Sequence, residues 1–294
     1  MTRASTFAGA LTCIGAVPAR ALLRHAWRDP AHAPAREVAL QRLARWALGA
    51  SLLVTAAVVL ALRAQALSLV DEGETLELLH YRSVLASGWA LGWKAQLAAG
   101  LLAVIAWMPW RGRPFVGPKL APIAALALAG TLPLMGHPRV LAAGPVVGVL
   151  LGAFHLLGGG LWLGALVHLA AVGWLGDADR RLERVTRLFR AFSPLALTGA
   201  ATVALTGLGS AWQTVGSLAA LAGSGYGRTL LVKLGVLAVI VATGAYNWRV
   251  AQPRLATGTG DELLHRSAYV ELALGAALIV VTSVLVALPA PGLD

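Results

Sequence analysis

"PVVGVLLGAFHLLGGGLWLGALVHLAAVGWL", Pro145 to Leu175, contains no Asp, Glu, Lys or Arg and yet holds two histidines. A helix rises about 1.5 Å per residue and the hydrocarbon core of a bilayer is about 30 Å thick, so some 20 residues cross it. Lipid offers no partner for backbone N–H and C=O groups, and a helix satisfies them within the segment. The stretch therefore predicts a transmembrane helix. At about 100° per residue, His155, Gly159 and Trp162 share one face of it, while Gly160, Gly164 and His168 share the opposite one. Gly160 and Gly164 have the small-x-x-x-small spacing that lets a second helix approach closely. The two histidines are about 20 Å apart along the axis and cannot hold one metal ion together.

Working outward, the same signal recurs. Eight spans are expected, at about Phe7–Leu23, Leu43–Leu67, Gly88–Met108, Leu120–Gly136, Pro145–Leu175, Phe192–Val215, Leu230–Val250 and Ala268–Leu288. Pro18 and Arg20 interrupt the first. The composition agrees: 58% of residues are hydrophobic and 13% charged, which argues against a water-soluble domain. The connections are short, so residues 1–294 form a single all-α, polytopic membrane domain, with spans one to four in 1–135. The loop from Arg24 to Arg42 is the longest, and Gly176–Arg190 reads as an amphipathic helix lying at the interface before Pro194 opens the sixth span.

The net charge of +11 would suit nucleic acid, but its distribution assigns it to membrane topology instead. With the amino terminus outside, seventeen Lys and Arg fall in the four loops facing the cytoplasm and four in the outer segments. The positive-inside rule then places both termini outside, in contact with periplasm, and makes lipid rather than nucleic acid the partner of the arginines. The single cysteine, Cys13, excludes a disulfide framework. No GxxxxGK[ST] sequence is present, so the chain does not hydrolyse ATP by a P-loop, and no enzyme activity is expected.

Ionisable groups inside a membrane are costly and by default functional. His155 lies 10–15 Å below the outer end of the fifth span on the helical rise; His168 lies toward the cytoplasm. Met135 and His137 sit two residues apart where the fourth span ends, a soft thioether beside an imidazole, which together suit Cu(I) and tolerate Cu(II). His80, beside the acidic outer stretch Asp71–Glu77, is a third outer candidate. Glu271, near the cytoplasmic end of the last span, is either a structural partner for Arg266 or Arg249 or a relay or exit group. Each histidine also has a plainer reading, as a neutral ring bonded to a neighbouring helix.

Taken in order, "GHPR" (Gly136–Arg139), "HLLGGGLWLGALVHLA" (His155–Ala170), "FSPLALTGAATVALTGLGSAW" (Phe192–Trp212), "GSGYGRTLLVKLGVLAVIVATGAYNWRVAQPRL" (Gly223–Leu255) and "AYVELALGAALIVVTSVLVALPAPG" (Ala268–Gly292) resemble the CopD/PcoD copper resistance membrane proteins. The resemblance covers residues 136–292 well and the first four spans only by topology and short patterns such as "LRAQALSL". It implies a multi-pass protein of the bacterial inner membrane that moves copper, Cu(I) or Cu(II), inward from the periplasm, and a separate periplasmic chaperone of the CopC type as donor. The family's histidine before Trp-x-Gly corresponds to His155, its Gly-His to Gly136 and His137, and its last-span glutamate to Glu271. The departure is at the amino terminus, where the first span is short and carries no histidine. The expected path runs from Met135 and His137, with His80, to His155 and out by Glu271 or His168. Two alternatives stay open: a haem-b-binding electron-transfer protein with His155 as an axial ligand, and a copper-delivery or oxidase assembly factor that translocates nothing.

Overall fold

In the computed structural model, which describes residues 2–109, 116–135, 144–173, 175, 180–215, 217–251 and 260–289, most of the long helices pack against the first. Helix α1 runs Thr2–Ala26 with Pro18 inside it, longer than its interrupted apolar run suggests. Its buried face is built mostly from small residues, Gly9, Ala10, Cys13, Gly15, Ala16 and Ala19 among them. Between helices already in lipid, burial of apolar surface supplies little drive; packing of close backbones does. Small residues permit that closeness. A Cβ on Gly9 would lie 2.9 Å from the Ala50 carbonyl oxygen, and one on Gly15 would run into the backbone of Gly164.

Helix α2 (Ala33–Leu67) packs along α1, followed by the short helix α3 (Leu78–Ala86), α4 (Trp89–Trp107) and α5 (Val116–Thr131), which ends in a 3₁₀ turn at Leu132–Met135. Next come α6 (Pro145–Gly159), a π-helical segment at Gly160–Gly164, and α7 (Ala165–Val172), forming one continuous rod. Helix α8 (Arg181–Val215), the short α9 (Leu218–Gly223), α10 (Gly225–Tyr246), a second π-helical segment at Asn247–Ala251, and α11 (Gly260–Leu285) complete the chain. The α6–α7 rod and α8 pack against α1, and α10 pairs with α11. Among the described residues seven helical segments are long and apolar enough to cross a membrane; the expected fourth span corresponds to a shorter apolar helix, Lys119–Met135. Large side chains face outward, Leu205 being 73% exposed, while much of the buried core is alanine. That inversion of a soluble protein's pattern is what a lipid surround demands, and the molecule is a multi-pass helical membrane protein.

Two expectations need correction. The long first loop is largely helix: Asp29 caps a 3₁₀ turn at Pro30–His32 by accepting the Ala31 N–H at 2.9 Å, and α2 then begins at once with Pro34 near its start, where the missing N–H costs nothing. Nor is 180–190 a separate interfacial helix. Helix α8 continues through Pro194 into the span despite the backbone bond the proline forfeits, and the Ser193 hydroxyl donates to the Phe189 carbonyl in the adjoining turn. Its first turns are docked rather than lying on lipid. Arg184 is buried with its guanidinium 5.9 Å from the Trp27 ring centroid, and Trp27 Nε1 donates to the Arg184 carbonyl at 3.1 Å. Arg36 donates to the Trp27 carbonyl at 2.9 Å, and Glu183 lies 3.7 Å from His32 and 2.6 Å from Arg187. These contacts fasten the end of α1 and the start of α2 to the start of α8.

Candidate functional site

His155 lies two-thirds of the way along α6, half-buried, facing α8. The two helices can meet there because of glycine: a Cβ on Gly199 would fall 2.7 Å from the Gly158 carbonyl oxygen, and one on Gly207 would fall 3.4 Å from His155 Cε1. His155 Nδ1 is 3.0 Å from Thr206 Oγ1. A threonine hydroxyl has one proton, and Thr206 gives it to the Thr202 carbonyl at 2.6 Å. Its oxygen is therefore the acceptor, the ring proton sits on Nδ1, and the lone pair is on Nε2. The Val203 carbonyl, on the same turn of α8 as Thr206, is a second acceptor within reach of the ring, and no further partner for Nε2 occurs among the described residues. The result is a neutral imidazole held by one nitrogen and offering the other, the arrangement that a metal ligand requires. The Lys233 ammonium on α10 lies within Coulombic range of the ring.

The other candidates are differently placed. His168 is fully buried against α1, its Nε2 donating to the Thr12 carbonyl at 2.9 Å, while Nδ1 has no partner among the described residues. Gly160 and Gly164 lie against Ile14, Leu11 and Gly15 of α1 on this same side. Gly159, expected with His155, instead meets Leu11 of α1 at 2.9 Å from its notional Cβ; forty degrees of helical rotation from His155 is enough to carry it across the boundary between two neighbours. Trp162 is buried within the π-helical segment and borders α8 at Gly199.

Glu271 on α11 is 8% exposed and accepts from Asn247 Nδ2 at 2.7 Å, rather than from an arginine. Asn247 opens the second π-helical segment, and its buried Oδ1 has no partner among the described residues. Glu271 and Trp162 line one small cavity of about 10 Å³, the room of a single water. Both π-helical segments thus border the same spot, and such segments recur at functional sites because the extra residue re-aims side chains.

Of the outer candidates, Met135 closes the 3₁₀ turn after α5 and packs its Cγ on Gly92 of α4. His137 lies outside the described residues. His80 is committed: its Nδ1 accepts the Glu77 N–H at 3.1 Å in a capping box at the start of α3, and Nε2 faces Glu74 at 3.8 Å. Among the described residues no three His, Cys, Asp or Glu side chains converge on a point. Sequence reasoning missed Thr206 as the partner of His155 and Asn247 as the partner of Glu271. The first had a signal, the hydroxyl stripe Thr198, Thr202, Thr206 at four-residue spacing, which lies along one helix face.

Residues 186–285 match the family model described as copper resistance protein D. The chain is 31% identical over 159 residues to the copper transport protein CutJ of Bacillus subtilis (strain 168), an alignment that takes in 53% of this chain and 28% of that protein. The chain thus spans less than a third of the length of the curated relative it matches. No solved structure matches. Over residues 186–285 the chain is therefore similar to copper resistance protein D, and that similarity joins a multi-pass helical architecture.

Proposed function

We propose that this protein carries copper across the bacterial inner membrane from periplasm to cytoplasm, with His155 Nε2 as the ligand inside the bilayer. The observation that carries the reading is the Thr206–His155 contact at 3.0 Å, which ties up Nδ1 and leaves Nε2 for a metal. The similarity to a copper transport protein of Bacillus subtilis supports the cargo. Eight crossings, with both termini in the periplasm, are part of the proposal. The fourth is the short one: sixteen helical residues of α5 and four of the 3₁₀ turn reach about 32 Å, because a 3₁₀ turn rises about 2 Å per residue, and the loop charges favour this orientation.

Copper enters at Met135 and His137, delivered by a separate chaperone of the CopC type; His80 contributes only if its cap to Glu77 opens. It passes to His155 and leaves by Glu271 or His168. The protein performs no covalent chemistry on its cargo. Each station supplies one or two donors, so none holds the ion tightly enough to stop it.

Copper uptake into proteoliposomes, with His155→Ala and His137→Ala set against wild type at matched protein content, tests the proposal. Both variants are expected to lose uptake. Binding without accumulation in the wild type would leave a delivery factor, and a Soret band in the purified protein would favour the haem reading; either result overturns transport.

A further inference from the structure

Away from the copper path, α1 and α2 part to leave a groove of about 480 Å³ on the outside of the bundle. Its floor and walls are Gly9, Gly49, Ala50 and Leu53, with Arg45 and Trp46 lining it at one end of the α2 stretch. The two glycines do opposite things. Gly9 brings the helices together, its notional Cβ only 2.9 Å from the Ala50 carbonyl oxygen, whereas a Cβ on Gly49 would meet nothing within 4 Å. The groove exists because residue 49 has no side chain. Thr12, the polar residue in its wall, spends its hydroxyl on the Ala8 carbonyl at 2.8 Å. The length of the groove is therefore apolar, and its charge is confined to one end.

That end is cationic without an acidic partner. Arg45 and Trp46 are exposed, and among the described residues Arg45 makes no ion pair. Arg42, also exposed, lies one turn earlier on the face of α2 that carries Arg45 and Gly49. From Arg45 to Leu53 the helix rises about 12 Å, most of the roughly 15 Å thickness of one leaflet's hydrocarbon. An apolar slot one leaflet deep, with a guanidinium and an interfacial tryptophan at its mouth, has the chemistry of a phospholipid: chain along the glycine, phosphate at the arginine.

We infer that this groove is a binding site for one anionic glycerophospholipid, whose acyl chain lies over Gly49 and whose phosphate is held by Arg45 with Arg42. A zwitterionic lipid carries an ammonium that two guanidiniums repel, so the site discriminates by headgroup. On the proposed orientation it faces the cytoplasmic leaflet.

The test is native mass spectrometry of the full chain, delipidated and titrated separately with phosphatidylglycerol, cardiolipin and phosphatidylethanolamine, a measurement independent of copper transport. Retention of the two anionic lipids over phosphatidylethanolamine is expected. Arg45→Gln should weaken the anionic lipids about tenfold, the worth of one charge-assisted hydrogen bond. Gly49→Leu, which fills open space and leaves the helix packing alone, should reduce retention of all three. Equal retention of the three lipids by the wild type would overturn the inference, as would unchanged anionic-lipid binding in both variants. So would a lipid-free dimer that Gly49→Leu converts to monomer, since the groove would then belong to a second copy of the chain.

Discussion

Replacing Thr206 by Val isolates the contact on which the copper site rests. The side chains have nearly the same shape, so packing against α6 is kept and the hydroxyl alone is lost. Two things follow at His155. Nδ1–H loses its acceptor 3.0 Å away, and the ring is no longer held in the tautomer that presents a lone pair on Nε2. A buried donor left unpaired costs about 1–3 kcal/mol; losing the hydrogen bond that orients a metal-ligating imidazole costs about 10–100-fold in metal affinity, or roughly 1.4–2.7 kcal/mol. The two estimates overlap, which they should if they describe the same event. Copper affinity of the purified protein, measured by competition against a chromophoric chelator, should therefore fall about 10–100-fold in Thr206→Val. Thr206→Ser keeps both the donor to the Thr202 carbonyl and the acceptor for Nδ1, and should recover most of the loss. Imidazole ¹⁵N shifts should show Nδ1 protonated in the wild type and a mixture of tautomers in the valine variant. If Thr206→Val binds copper like the wild type while His155→Ala does not, the tautomer argument is wrong. If serine is as poor as valine, the hydroxyl is not what matters.

Other consequences follow from the same geometry. Gly164→Ala pushes a methyl into the Leu11 carbonyl of α1; overpacking of this kind costs about 1–3 kcal/mol, so its thermal midpoint in detergent should drop while Gly49→Ala stays at the wild-type value. His168→Leu removes a hydrogen bond to Thr12 and, with it, the unpartnered Nδ1. These opposing effects should leave stability within about 1 kcal/mol, and uptake unchanged if Glu271 is the exit; a loss of uptake with the fold intact would make His168 the exit instead. Glu271→Gln keeps an acceptor for Asn247 Nδ2, so the fold should persist while uptake falls and becomes insensitive to pH; uptake matching the wild type at every pH would remove the carboxyl from the path. Lys233→Met takes a positive charge away from His155, and copper should bind more tightly and leave more slowly; weaker binding would refute that reading of Lys233.

The helices were legible because lipid imposes a length, and an uncharged run such as Pro145–Leu175 has few other uses. What the run length could not disclose is where helices extend beyond the hydrocarbon. Helix α2 starts ten residues before its apolar run does, at Ala33, because Arg36 and His32 find partners on Trp27 and α8 rather than water. Helix α8 ignores Pro194 as a boundary for the same reason: Arg184, Val185 and Leu188 are buried, and a docked helix has no cause to stop. The site was half legible. An imidazole in an apolar segment announces itself, but its state is set by Thr206, fifty-one positions away on another helix, and threonine in a membrane span is ordinarily a residue that bonds its own backbone. The π-helical segments at Gly160–Gly164 and Asn247–Ala251 have no periodic signature at all. They show only where helices must shift a face to meet Glu271.

A protein that stores copper and one that passes it along need opposite things from their side chains. Storage calls for several soft donors converging with their protons already removed. Here the described residues bring no three such groups together, His168 and His80 spend a nitrogen each on backbone groups, and His155, whose Nδ1 is tied to Thr206, has an ammonium for a neighbour. Each of these weakens binding. For a carrier that weakness is useful, because an ion bound at a single imidazole beside a fixed positive charge gains little by staying. On the proposed path, the polar groups of the bundle would lower the cost of crossing the bilayer without creating a minimum from which copper could not escape.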